Sequence, residues 1–205
     1  MADIQHVLPE HDQHGLLVAH GFDESFFGLW VERDDLDELA ELLRLDPRSR
    51  RDVRLGEEAA TMTDWSVPLD EKDSLWIGPH SPGWSVVIST SGPQTGGWWL
   101  SSGNRGMFVV GWHRDIDGLS DLDYYRDGNV VAEIPAFPNG ELLPGPVFEP
   151  YAHGLPRDGD PNEGEERLAH AFLTIVGRIT GRFLDEDWFR TPGRAYGFPS
   201  VDAQG

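Results

Sequence analysis

Between residues 75 and 137 the apolar and aromatic positions come in short bursts divided by turn residues: SLWIGPHSPGWSVVIST, TGGWWLSSGNRGMFVVGWHRD and LDYYRDGNVVAEIPAF. Bursts of this kind, bounded by Gly, Pro, Asn and Asp, predict strands. Residues 75–78 and 84–89 flank the turn His80-Ser81-Pro82-Gly83, and residues 98–100 and 107–112 flank SSGNRG. Residues 122–126 and 130–134 flank Asp127-Gly128, a strong hairpin signal because both central positions of such a turn need positive φ. Short strands on tight turns predict an antiparallel meander, and aromatic side chains suit its pleated, half-buried surface. Trp76, Trp84, Trp98, Trp99 and Trp112 all fall here, so this stretch is the expected folding centre.

Outside it the period changes. Residues 26–32, FFGLWVE, read as a strand, and RDDLDELAELLRLDP reads as a helix. Asp34 is placed to cap that helix, Asp37 lies in the first turn at the positive end of the dipole, and Pro47 stops it. Leu36, Leu39 and Leu43 repeat at three- and four-residue spacing, one helical face. Residues 48–74 show weak periodicity and read mostly as loop. Their Arg48, Arg50, Arg51 and Arg54 have Glu57 and Glu58 at hand for internal pairing. Residues 135–162, rich in Pro and Gly, predict an irregular segment over the sheet, pinned by Phe137, Phe148 and Tyr151. A second helix follows. Asp160 can cap it, Pro161 suits the first helical position and Glu163 completes a capping pattern. Leu168, Phe172, Ile175 and Ile179 form its apolar stripe, and Gly181 ends it. LDEDWF can add one further turn. The expectation is a single α+β domain over residues 20–190, an antiparallel meander of about six or seven strands with two main helices. Residues 1–19 read as a mobile N-terminal arm and residues 191–205 as a C-terminal tail.

Composition narrows the class. Hydrophobic residues make up 39 % and charged residues 25 % of 205, as in soluble domains long enough to bury a core. No apolar run approaches a membrane span, and the N-terminus has no basic-then-apolar leader pattern. Zero Cys excludes disulfides and thiol chemistry. A cytoplasmic protein is expected. The formal net charge is −20, and every quarter of the chain is acidic. Such a surface repels nucleic acid and anionic membranes and attracts basic partners.

Candidate chemistry is sparse. In HRDIDGLSDLD, His113 stands beside Asp115 and Asp117, with Asp121 and Asp123 further on. Carboxylates in this number can ligate a hard cation, and His with Asp can form a base and its orienting carboxylate. The spacing does not match an EF-hand loop, and Asp is common in turns, so a polar connection between strands is the simpler reading. His6, His11, His14 and His20 match no common metal motif. No nucleophile elbow or phosphate loop occurs. Trp98 and Trp99, read as strand neighbours, would point to opposite faces. An exposed member of the pair is an interface candidate.

The order FFGLWVERDDLDELAELLRLDP, GWSVVISTSG, FVVGWHRDIDGLSDLDYYRDGNVVAEIPAF and ERLAHAFLTIVGRITG leading to LDEDWF resembles a family of actinobacterial domains with no assigned activity. The shared marks are Gly83-Trp84, the hairpin from Tyr124 to Val131, and Ile179-Thr180-Gly181. The resemblance implies a fold and transfers no catalytic residue. The functional expectation is a non-enzymatic acidic protein that docks a basic protein, as an immunity or antitoxin protein does, with neither metal nor cofactor. Its docking residues would be Asp34, Asp37, Glu38 and Glu41 on the first helix, Asp115, Asp117, Asp121 and Asp123 in the loop, and Trp98 and Trp99. Two alternatives stand beside it: a small-molecule binder or enzyme with a Trp-lined pocket between the sheet and the Pro-rich segment and an Asp/His loop at 113–123, and an acidic mimic of nucleic acid. The sequence sets no oligomeric state.

Overall fold

The computed structural model describes residues 4–64, 74–89, 97–114, 118–160, 162 and 164–197. Among these, nine strands form one sheet: β1 (Ser25–Val31), β2 (Arg51–Arg54), β3 (Ser74–Ser81), β4 (Trp84–Ser89), β5 (Gly106–His113), β6 (Gly118–Leu119), β7 (Leu122–Arg126), β8 (Asn129–Ile134) and β9 (Pro192–Gly197). Six α-helices accompany them: α1 (Gln13–Ala19), α2 (Leu36–Leu42), α3 (Leu55–Met62), α4 (Gly145–Phe148), α5 (Gly164–Thr180) and α6 (Glu186–Phe189). The architecture is α+β. The strand order is β2-β9-β3-β4-β1-β5-β7-β8, with β6 beside β5, and every pairing is antiparallel.

That order departs from a simple meander in two places. β1 sits between β4 and β5, and β9 sits between β2 and β3. Both are apolar on both faces where they cross the centre, as interior strands must be. Residues 192–197, within the stretch read as a tail, therefore form an interior strand with Ala195 and Tyr196 buried. Residues 13–19, within the stretch read as an arm, form α1 and bury Leu16 and Leu17. The stretch read as loop from 48 holds a 3-10 turn at Pro47–Ser49, then β2 and α3.

Side-chain alternation divides the core. Phe26, Trp30, Trp76, Val86, Ile88, Phe108, Val110 and Trp112 face α1, α3, α5 and α6 and merge with Leu168, Phe172, Ile175 and Trp188. Leu29, Val31, Ile77, Val87, Met107 and Tyr196 face the other way, toward Leu39 of α2 and Leu100. We call these the α5 face and the α2 face. The α2 cap is Asp35, not Asp34: its Oδ1 accepts from the N–H groups of Asp37 (2.8 Å) and Glu38 (3.2 Å). The β7–β8 hairpin turns at Asp127 (φ 49°) and Gly128 (φ 79°), as its sequence requires.

Residues 98–100 are not a strand. Gly97 takes φ 50°, Leu100 N–H donates to the Gly97 carbonyl at 2.9 Å, and Trp98–Ser101 closes as a 3-10 turn. Trp98 and Trp99 therefore do not split across a sheet. Trp99 is half-buried and donates its indole N–H to the Leu42 carbonyl (3.2 Å), whereas Trp98 is 53 % exposed.

One buried polar chain ties the sheet to α5 and α6. Trp188 Nε1–H can only donate, and it donates to His80 Nδ1 (3.1 Å). The His80 proton must then sit on Nε2, which donates to Thr180 Oγ1 (3.0 Å), and Thr180 O–H donates to the Val176 carbonyl (2.8 Å). Burial pushes the His80 pKa down to about 3, with Arg182 as a lesser cause, so the ring stays neutral.

Candidate functional site

A cleft of about 300 Å³ opens where α1, the end of β5 and the start of α5 meet. Its wall is aromatic. Trp112 is locked by its indole N–H to the Phe22 carbonyl (3.0 Å) and by stacking on Phe26, with ring centroids 4.7 Å apart. His14 rests against it at 5.0 Å. Asp12 caps α1 by accepting from His14 N–H (3.1 Å), which fixes where the imidazole begins.

The rim is charged. Glu165 and Glu166 occupy the first turn of α5, where the helix dipole favours carboxylates. Asp23 faces them from the segment before β1, and Arg114 follows β5. Arg114 donates to Asp23 Oδ2 at 2.9 Å and lies 4.0 Å from Glu24 Oε1. Gly118 sits under Glu165 with φ 66°; a Cβ there would lie 2.8 Å from Glu165 Oε1. The glycine lets the start of β6 run directly beneath the carboxylate. Among the described residues, Asp23 thus holds the Arg114 guanidinium, and Glu165 and Glu166 add two further carboxylates to the same cleft. Burial lowers the pKa of His14, opposed by Asp12, Glu166 and Asp23, so at neutral pH the ring adds no positive charge.

A second hollow of about 340 Å³ lies on the far side of Glu166, beside His170. His170 Nδ1 accepts the backbone N–H of Gln13 (3.0 Å) and also lies 3.0 Å from Asp12 Oδ1. These contacts fasten α1 to α5. Among the described residues no three His, Asp or Glu side chains converge in a geometry for a metal ion.

The residues proposed from sequence scatter. Asp34 and Glu41 are exposed. Asp37 is exposed but held by Arg194 (2.5 Å), which keeps its carboxyl below the ordinary range. Glu38 pairs with Arg33, a buried guanidinium that also donates to the carbonyls of Leu100 (3.0 Å) and Ser102 (2.9 Å). Glu38 thus neutralises a buried cation and belongs to the fold. Asp115 and Asp117 lie outside the described residues. Asp121 is exposed and accepts Ala136 N–H at 2.7 Å. Asp123 lies on the α2 face of β7, directly across from Glu133 of β8. His113 alternates away from Trp112 and does not line the cleft. In the basic segment, Arg50 pairs with Asp52 (2.8 Å) and Arg51 with Glu58 (2.9 Å).

Sequence reasoning weighed His14 only as a metal ligand and passed over Asp23, Glu165 and Glu166. They come from three separate stretches, and no local spacing joins them. The one legible signal was Glu165 and Glu166 after a plausible helix start. No family model matches this chain, and no curated protein or solved structure does.

Proposed function

We propose that this is a non-enzymatic binding protein that docks a basic protein partner, in the manner of an immunity or antitoxin protein, and that the cleft beside Trp112 receives a cationic side chain. The carrying observation is the carboxylate left over there among the described residues: Arg114 is taken by Asp23, and Glu165 and Glu166 line the same cleft. The aromatic wall and the neutral His14 suit a guanidinium or ammonium, which gains from an aromatic face as well as from carboxylates. The net charge of −20 supports the same partner by steering it from a distance. The α2 surface supports it less, because Arg194 and Arg33 already occupy Asp37 and Glu38. The likeness to the actinobacterial family is part of the proposal and rests on Gly83-Trp84, the hairpin from Tyr124 to Val131 and Ile179-Thr180-Gly181.

The test is capture from a lysate of the source cells by immobilised protein at low salt, eluted with a salt gradient. A basic protein retained by the native chain and lost by Glu165→Lys/Glu166→Lys supports the reading. Equal retention by that variant contradicts it. Asp34→Lys/Glu41→Lys, which carries the same charge change away from the cleft, is the control and should retain the partner.

A further inference from the structure

The sheet ends on β8, and among the described residues no strand or helix pairs with its outer edge. Its α5 face is covered at Phe148 of α4. Its α2 face is not: Val130 is 50 % and Val131 47 % exposed. An uncovered edge offers a row of backbone donors and acceptors for another strand, and proteins commonly protect such edges with lysine or proline. Here the strand reads Asn129-Val130-Val131-Ala132-Glu133-Ile134, with neither, and only the bulge at Val131 and the charge of Glu133 interrupt it. The opposite edge, β2, alternates Arg51, Asp52, Val53 and Arg54 and is short and charged.

A register shift gives the β8 edge its character. β7 and β8 pair as Tyr124 with Ala132 and Tyr125 with Val130, leaving Val131 as the extra residue of a bulge. Val130 and Glu133 thereby share the α2 face, Val130 beside Tyr125 and Glu133 beside Asp123. At the hairpin end the exposed Trp98 lies on Gly128, where a Cβ would stand 3.2 Å from its ring. The patch is therefore apolar at one end and doubly acidic at the other. Like charges directly opposite on a sheet are destabilising. Burial raises the Asp123 pKa, and Asp121 and Glu133 raise it further, against the hydrogen bond from Tyr125.

We infer that the β8 edge is a docking strand that takes an extended segment of a basic protein by strand addition, with an apolar side chain against Trp98 and Val130 and a basic one against Asp123 and Glu133. Backbone pairing gives such a complex its affinity and the alternating side chains give it selectivity. A second copy of this chain is disfavoured as the occupant, because it would bring another net charge of −20 to an acidic edge. The basic character of the occupant comes from Asp123 and Glu133 alone, so the inference stands whether or not the cleft beside Trp112 docks a partner.

The probe is a short end-blocked peptide whose alternate positions, all on one face of an extended strand, read valine, valine, arginine and arginine with threonine between them, with a twin N-methylated on every second residue. The twin keeps charge and side chains and cannot pair its methylated edge. Backbone hydrogen exchange and titration calorimetry read the outcome. The unmodified peptide should slow exchange in residues 129–134. The methylated twin should bind about tenfold more weakly or worse, and so should the unmodified peptide to Glu133→Lys. Glu165→Lys/Glu166→Lys should leave that protection in place. Equal binding by the twin, protection confined to residues of the cleft, or no binding at all overturns the inference. So does a dimer in solution that Val131→Asp dissolves.

Discussion

Single residues carry two kinds of weight in this chain, and their pH behaviour separates them. His80 has both ring nitrogens engaged inside the core. Its folded pKa, about 3, lies below the unfolded value of about 6.5, so the neutral ring contributes stability that is present above pH 6.5 and lost as pH falls toward 3. His80→Ala strands the Trp188 indole N–H and leaves a cavity, which should cost about 3 kcal/mol at pH 7 and flatten the acid limb of the stability curve. Thermal unfolding across pH checks both. Asp123 has the opposite sign. Its folded pKa is raised, so the charged form is disfavoured in the native state and works against stability at neutral pH. Asp123→Asn should therefore raise the unfolding temperature at pH 7, with the gain vanishing once pH falls below about 4, where the native carboxyl is itself protonated. A destabilised Asn variant at pH 7 would assign that carboxylate a structural role instead.

At the scale of elements, legibility followed how local the determining contacts are. The β7–β8 hairpin was plain because Asp127-Gly128 dictates its own turn. α5 was plain because Leu168, Phe172 and Ile175 repeat along seventeen residues. Strand β9 was hidden: PGRAYG carries Pro and Gly, and only the distant β2 and β3 make it a strand. Gly193 is needed there because a Cβ would come within 2.3 Å of the Trp76 ring. Removing residues 192–205 should open the sheet between β2 and β3 and remove most of the roughly 5–15 kcal/mol that holds such a domain folded. Circular dichroism of the truncated chain would show it, and a cooperative transition near the full-length temperature would contradict it. Trp98 and Trp99 were misread as a strand because aromatic pairs favour strands on average, whereas Gly97 at φ 50° starts a 3-10 turn here. The candidate cleft was the least legible part. His14, Asp23, Arg114 and Glu165 meet only after α1 packs on α5.

For the whole molecule, charge is the organising fact. Its −20 is not evenly available: Arg194, Arg33, Arg50 and Arg51 each absorb a carboxylate, as Arg114 absorbs Asp23, while the cleft end keeps Glu165 and Glu166 beside that pair. Docking of a cation there predicts an affinity that falls with ionic strength. The most direct measurement is a calorimetric titration of an arginine-rich peptide into the native protein, Glu165→Lys/Glu166→Lys and Asp34→Lys/Glu41→Lys over a series of salt concentrations. The docking account predicts a tenfold or greater loss of affinity, about 1.4 kcal/mol, for the cleft variant and little change for the α2 variant. Equal losses in the two variants, which share one net charge, would show that the peptide reads only total charge and would contradict it.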